Sequence, residues 1–214
     1  MSRPLLDYGL LAFVSLFTMV NPVGVLPVYV TMTSELDARA SRGVAARAVG
    51  TAAGVLVVFA LTGQLIFHFF AISVNSLRVV GGVVFFVMGY EMLQARLSRT
   101  KHDEETVAEY VEDVAITPLG IPIIAGPGAI TSVILLMDAA DTLPRRAVLL
   151  SVLAAILAIT FALLVAARRV TSFLGAAGNK VLLRLMGLIV MVIAVEYLVA
   201  GLRPIVASMI GPAR

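Results

Sequence analysis

Two short clusters of proline, glycine, hydroxyl and amide groups are the parts of this sequence best suited to binding a small polar molecule. The first cluster comprises Thr18, Asn21, Pro22 and Gly24. The second comprises Gly126, Pro127, Gly128, Thr131 and Ser132. Because proline inside a helix removes a backbone hydrogen bond and clashes with the preceding turn, each cluster is expected to interrupt a helix. The interruption leaves backbone N–H and C=O groups available to a ligand.

These freed backbone groups would have opposite polarity on the two sides of each interruption. The helix that begins after the break presents a partial positive charge, which suits a carboxylate, and the helix that ends before it presents carbonyl oxygens. Those carbonyls suit an ammonium group, or a sodium ion near Asn21 and Gly126. A zwitterion such as an amino acid therefore fits without a charged side chain. The alternative is that the prolines only kink packed helices.

The composition places both clusters inside a lipid bilayer. Hydrophobic residues make up 60% of the 214 residues and charged residues only 14%, whereas a soluble domain carries about 25% charged residues. A helix of about 20 apolar residues crosses the hydrocarbon core. Six runs satisfy this length: 8–34, 48–77, 79–95, 114–137, 147–167 and 185–202. The sequence therefore predicts a polytopic membrane protein in which the clusters lie near the middle of spans one and four.

The remaining composition argues against an enzyme, a cofactor protein and a nucleic-acid-binding protein. The sequence has no cysteine, and its two histidines, His68 and His102, lie far apart in the chain. They cannot form a catalytic or metal-binding cluster, and there is no glycine-rich phosphate-binding loop. The net charge of +3 comes from arginines at the ends of apolar runs, where they anchor helices at the membrane surface. We expect no cofactor other than a coupling sodium ion or proton.

The two clusters occupy equivalent places in an internal repeat. Three short matches follow the same order along the chain: 21–25 with 126–130, 47–49 with 146–148, and 77–81 with 183–187. Each half contains three spans, so the halves would enter the membrane from opposite faces, as in transporters with inverted repeats. We predict an all-α membrane protein of six transmembrane helices in two inverted three-helix repeats, with helices 1 and 4 discontinuous. The alternative is a plain six-helix bundle with accidental similarity.

This interpretation gives one membrane domain of three parts. The first three-span repeat covers 1–95, a charged cytoplasmic loop covers 96–113, and the second repeat covers 114–214. Six spans put both termini on one side of the membrane. Ten basic residues lie on the loop side and six on the side of the termini. Since basic residues favour the cytoplasmic side, both termini are predicted to be extracytoplasmic.

Two acidic residues, Glu91 and Glu196, lie inside the predicted spans, and an ionisable residue there is a candidate functional residue. Glu91 follows Arg78 by 13 residues and Glu196 follows Arg184 by 12, which is about 20 Å along a helix. Because spans three and six run in opposite directions, we predict the ion pairs Arg78–Glu196 and Arg184–Glu91, which would fasten the halves or act as gates. Alternatively, each side chain extends to its nearest membrane surface.

The residues of both clusters also resemble a known family. The run 17–27, Phe-Thr-Met-Val-Asn-Pro-Val-Gly-Val-Leu-Pro, is similar to the first-span signature of the MarC-related family of prokaryotic integral membrane proteins. The runs 117–122 and 125–131 resemble its fourth-span signature, and the Leu-Arg-x-x-Gly starts of spans three and six also fit. The resemblance implies a multi-pass protein of the prokaryotic plasma (inner) membrane. Some similar proteins are described as transporters of small neutral amino acids, in some cases coupled to sodium.

We therefore predict a secondary transporter of small neutral amino acids resembling glycine and alanine, coupled to sodium or protons and working by alternating access. Its partners would be a small zwitterionic substrate, the lipid bilayer and a second copy in a homo-oligomer. The alternatives are an exporter of hydrophobic or amphiphilic compounds, a channel, and a non-transporting membrane scaffold. Gly50 and Gly54 in span two are expected to pack against another helix of the same chain rather than form a dimer contact.

Overall fold

A computed structural model describes residues 5–34, 36–94 and 107–210, without the side chains of 107–110, 168–177 and 179. This part of the chain is all-helical, with seven α-helices and no strand. The helices are α1 Leu5–Val20, α2 Pro22–Met32, α3 Ala38–Phe69, α4 Val74–Leu93, α5 Val107–Val114, α6 Pro127–Asp138 and α7 Leu143–Ile210. An irregular segment, Ala115–Ile124, joins α5 to α6. Of the predicted loop 96–113, residues 96–106 lie outside the described residues and the rest belongs to α5.

The described helices contain five to six candidate membrane spans. Five are single stretches: Leu5–Met32, Ala38–Phe69, Val74–Leu93, Leu143–Ala167 and Lys180–Ile210. A sixth would combine Val111–Ile124 with Pro127–Asp138, which meet at a bend of 57°. These positions agree with the six apolar runs of the sequence, so the prediction of a multi-pass helical membrane protein is confirmed.

The boundary between α1 and α2 consists of one residue, Asn21. Its backbone is left-handed, with φ 46° and ψ 63°, a conformation that asparagine tolerates better than most residues. Its Oδ1 accepts a hydrogen bond from the N–H of Gly24 at 3.2 Å and so caps α2. Pro22 is the first residue of α2, where its missing N–H is not needed. The Asn-Pro-x-Gly sequence therefore ends one helix and starts the next within the candidate span Leu5–Met32.

The corresponding boundary before α6 has a different local cause. Thr117 and Ile121 are extended, with φ/ψ of −131°/120° and −132°/125°. Each precedes a proline, which disfavours helical backbone in the residue before it. The irregular segment ends at Ile124, and α6 starts at Pro127 with Gly126 as its N-cap residue. The chain is therefore irregular over about one third of this candidate span.

Both candidate spans of α7 pack against α1. Val148 is 3.3 Å from where a Cβ on Gly9 would lie, and Tyr197 donates a hydrogen bond to Sδ of Met19. Gly9 and Met19 both belong to α1 and are about 15 Å apart along its axis, whereas Val148 and Tyr197 would be about 70 Å apart in a straight helix. The chain must therefore reverse its direction between the two spans of α7.

Close backbone contact joins α4 to the second span of α7. A Cβ on Gly82 would lie 2.8 Å from the carbonyl oxygen of Ala194, and one on Gly89 would lie 2.7 Å from that of Gly187. Position numbers rise along α4 as they fall along α7, so the two segments are antiparallel. Small residues that let backbones approach are typical of contacts between transmembrane helices. Spans three and six therefore run in opposite directions.

The glycine pair of α3 has no such role. A Cβ on Gly50 or on Gly54 would have no heavy atom within 4 Å. Both positions are on the exposed side of the helix. The expectation that this pair packs inside the chain is wrong, because the buried side of α3 is instead formed by Ala48, Ala52 and Leu56.

Candidate functional site

A cavity of about 160 Å³ lies beside the boundary between α1 and α2. Three residues of the first sequence cluster, Thr18, Asn21 and Gly24, line it, together with apolar residues of α4 and of the second span of α7. A cavity of roughly 150 Å³ is large enough to hold benzene. The site therefore has room for an organic molecule with the size of a small amino acid.

The second cluster lies directly behind the wall of the same cavity. A Cβ on Gly126 would lie 2.8 Å from Cζ of Phe85, and a Cβ on Gly128 would overlap the hydroxyl of Tyr197. Phe85 and Tyr197 both line the cavity. Both interrupted segments therefore converge on one place, with the start of α6 separated from the cavity by two aromatic side chains.

Tyr197 joins two parts of this wall. Its hydroxyl donates a hydrogen bond to Sδ of Met19, and its ring makes an edge contact with Phe85 at a centroid distance of 6.1 Å. Neither aromatic residue was among the site residues expected from the sequence. The sequence did contain one indication of Tyr197, because Glu196-Tyr197 in span six corresponds to Tyr90-Glu91 in span three. The acids of these two pairs were the predicted functional residues, and the tyrosines were not.

The side chains of the first cluster are largely occupied by local hydrogen bonds. The Thr18 hydroxyl donates to the carbonyl oxygen of Val14 at 2.8 Å, and Oδ1 of Asn21 accepts from Gly24. A Cβ on Gly24 would overlap the Asn21 amide, so this glycine is needed for the cap. Pro22 is buried at the start of α2. The first cluster thus shapes the cavity and satisfies most of its own polar groups.

The second cluster leaves polar groups unsatisfied. No described side chain caps α6 at Gly126. The N–H of Ile130 donates to the Gly126 carbonyl oxygen at 2.9 Å. Gly128 and Thr131 are buried in α6, and the hydroxyl of Thr131 has no hydrogen-bond partner within the described part of the chain. Ser132 is half-buried. The start of α6 therefore combines burial with unused hydrogen-bond donors.

The four charged residues expected to form pairs lie on α4 and on the second span of α7. Arg78 is half-buried, whereas Glu91, Arg184 and Glu196 are exposed. In the described part of the chain, ion pairs join Arg47 to Glu112 at 3.4 Å and Arg145 to Asp141 at 2.7 Å. Neither of these ion pairs involves Arg78, Glu91, Arg184 or Glu196. The pairs Arg78–Glu196 and Arg184–Glu91 therefore remain predictions.

Together the fold and the site define an integral membrane protein with several apolar helices and a small cavity between them. The profile described as "MarC family integral membrane protein" matches residues 6–206. The chain therefore belongs to the MarC family, as its two proline- and glycine-rich signatures indicated.

Relatives of similar length occur in archaea and bacteria. UPF0056 membrane protein PH0760 of Pyrococcus horikoshii is 37% identical over 194 residues, which cover 91% of this chain and 94% of that protein. UPF0056 membrane protein YvbG of Bacillus subtilis is also 37% identical over 194 residues, covering 89% and 92%. UPF0056 membrane protein YhcE of Escherichia coli is 30% identical over 195 residues, covering 90% and 91%. These names give membrane location but no substrate. No solved structure matches the chain.

Proposed function

We propose that this protein is a secondary transporter of small neutral amino acids such as glycine and alanine. The observation that carries the proposal is the convergence of both interrupted segments on one cavity of about 160 Å³. Helix interruptions near the middle of a membrane are the usual place of substrate and ion sites in secondary transporters. The substrate would bind there, and access would alternate between the two sides of the membrane.

The helix ends around the cavity have the polarity that a zwitterion needs. The last turn of α1, including Thr18 and Val20, lines the cavity, and carbonyl groups at a helix C-terminus carry partial negative charge. The uncapped start of α6 lies behind Tyr197 and carries partial positive charge. An ammonium group would face the first and a carboxylate the second. A coupling sodium ion would use carbonyl oxygens near Asn21 and Gly126, and a proton is the alternative coupling ion.

The proposal includes two inverted three-helix repeats, 1–95 and 114–214, joined by the charged segment 96–113. Two features support this arrangement. The helix boundaries at Asn21 and Gly126 fall at equivalent positions of the two halves, and α4 runs antiparallel to the second span of α7. In this arrangement Leu5–Met32 and the sixth candidate span are the discontinuous helices, and both termini lie outside the cytoplasm.

The test is uptake of radiolabelled glycine and alanine into proteoliposomes, with a sodium gradient, a proton gradient or neither. We expect saturable uptake and counterflow that one of the gradients increases. Gly24→Ala, which places a methyl group against the Asn21 amide and disturbs the cap of α2, should lower uptake, whereas Gly50→Ala, with open space around it, should keep wild-type uptake. Absence of saturable uptake of both amino acids by the wild-type protein would refute the proposal.

A second function is favoured by the apolar character of the cavity. Besides Val25 and Val28, the side chains of Met88 and Met92 line it, and methionine adapts to irregular apolar ligands. Such a lining suits an exporter of hydrophobic or amphiphilic compounds. In that case, transport would tolerate Asn21→Ala, and glycine and alanine would not compete. Flux without counterflow would instead indicate a channel, and no flux of any compound a scaffold.

A further inference from the structure

We infer that the start of α6 is a carboxylate-binding subsite completed by two hydroxyl groups, those of Thr131 and Tyr197. The inference rests on the proposed function and makes it more specific. It adds specific donors to the helix start that would face the carboxylate, and it gives Tyr197 a direct role in recognising the substrate.

The first step concerns the backbone. α6 has 12 residues, and its N-terminal residues Pro127, Gly128 and Ala129 are buried. Proline has no N–H, so the amides that can face an anion are those of Gly128 and Ala129. No side-chain cap occupies them, and no acceptor for them is found among the described residues. Buried N–H groups of this kind at a helix N-terminus are a common anion-binding arrangement.

The second step concerns Thr131, which is 4% exposed. The hydroxyls of Thr18, Thr62 and Thr160 each donate to the carbonyl oxygen four residues earlier, at 2.7 to 2.8 Å. The hydroxyl of Thr131 makes no such bond, and none of the residues that the structure describes is its partner. Because residues three apart share a helix face, Thr131 lies on the same face as Gly128. An unpaired buried hydroxyl thus stands one turn beyond the unpaired amides.

The third step concerns Tyr197. Its hydroxyl lies against Gly128 and donates to the thioether sulfur of Met19, which is a weak acceptor. A carboxylate oxygen is a much stronger acceptor. A substrate carboxylate would therefore replace Met19 as the partner of Tyr197. Since Tyr197 also lines the cavity, a shift of its side chain would connect the cavity to the start of α6.

The subsite brings four hydrogen-bond donors together, two amides and two hydroxyls. It consequently selects for ligands with a free carboxylate. Amino acid amides and amino alcohols, which keep the ammonium group and the size of the substrate, would leave these donors without a charged acceptor. Discrimination between alanine and alaninamide therefore measures the subsite separately from the rest of the cavity.

The experiment compares binding of radiolabelled alanine, and its competition by alaninamide, in the purified full-length protein. Tyr197→Phe and Thr131→Val remove one hydroxyl each. The matched controls are Tyr90→Phe, on the exposed side of α4, and Thr160→Val, whose hydroxyl is already paired. Hydrogen bonds to charged groups are worth enough to change a dissociation constant about tenfold or more. We expect each test variant to bind alanine about tenfold more weakly and alaninamide unchanged, and both controls to match the wild type.

The outcomes separate this inference from the proposed function. If the wild type binds alanine but both test variants keep its preference over alaninamide, the subsite is refuted and the transport proposal stands. If the wild type binds no amino acid, the transport proposal fails, and labelled propionate is the remaining probe. Propionate binding that Tyr197→Phe weakens would support the subsite, and no propionate binding would refute it. Unchanged thermal unfolding of Tyr197→Phe shows that weaker binding is not misfolding.

Discussion

The two helix interruptions of this protein differ in how many of the freed backbone groups find a hydrogen-bond partner nearby. At Asn21 a side-chain oxygen caps the following helix, and the whole stretch Leu5–Met32 remains a single candidate span. At Gly126 no side chain caps α6, and the segments meet at 57°. A break that satisfies itself can serve as a fixed wall of the cavity. A buried break with free donors is stable only where another group uses them, which makes the second break the better candidate for contact with substrate.

The largest effect is expected for Gly128→Ala, which tests whether the second break needs its close approach to the cavity wall. The new methyl group would overlap the Tyr197 hydroxyl and lie 3.0 Å from Sδ of Met19. Overpacking of this kind costs about 1–3 kcal/mol, and it would displace the start of α6. We expect uptake of alanine to fall by about two orders of magnitude at saturating substrate, a larger loss than stability alone explains. Gly54→Ala, with free space around it, is the control and should keep wild-type uptake.

The first break is tested by replacing Asn21 with alanine and with glycine. Alanine loses the cap, worth about 1 kcal/mol, and is disfavoured in the left-handed backbone by about 1–2 kcal/mol. Glycine accepts that backbone and loses only a few tenths of a kcal/mol as a cap. Thermal unfolding in detergent should therefore show a clear loss for Asn21→Ala and little for Asn21→Gly. Equal losses would mean that the Asn21 amide does more than complete the helix boundary.

Removal of the unsatisfied Thr131 hydroxyl at the second break should have a smaller effect, and it should raise stability rather than lower it. Thr131→Val removes a buried donor that has no partner, and such a donor costs about 1–3 kcal/mol. We expect the ligand-free variant to unfold at a higher temperature than the wild type. Thr160→Val removes a hydroxyl that is bonded to Ile156 and should lower the unfolding temperature. A lower unfolding temperature for Thr131→Val would show that its hydroxyl has a partner in the resting protein.

The smallest effect concerns the charges that were predicted to fasten the two halves. Glu196 lies on the exposed side of its helix, so replacing it disturbs little packing inside the chain. If Arg78 and Glu196 pair during transport, Arg78→Glu and Glu196→Arg should each reduce uptake and the double reversal should restore it. If the double variant does not recover uptake in the proteoliposome assay, the two residues do not pair. Each would then interact separately with the membrane surface.

Local sequence was informative wherever a short-range rule applies. The apolar runs located the candidate spans because a membrane helix needs a fixed length of apolar residues. The Asn-Pro-x-Gly sequence located a helix boundary at Asn21 because proline and a left-handed residue act on their immediate neighbours. The same reasoning was wrong for Gly50 and Gly54, since spacing alone does not say which side of a helix faces the rest of the chain. It also overlooked Phe85 and Tyr197, which lie far from both clusters in sequence.

The amino-acid sequence was therefore sufficient for the membrane class, the family and the position of the two clusters, all of which depend on composition or on neighbouring residues. The tertiary structure was needed to show that the first cluster lines a cavity, that Tyr197 stands between this cavity and the second cluster at the start of α6, and that Thr131 has no hydrogen-bond partner among the described residues. These features depend on contacts between residues as far apart as Met19 and Tyr197. The direction in which a helix face points is set by packing, and packing is a property of the whole folded chain.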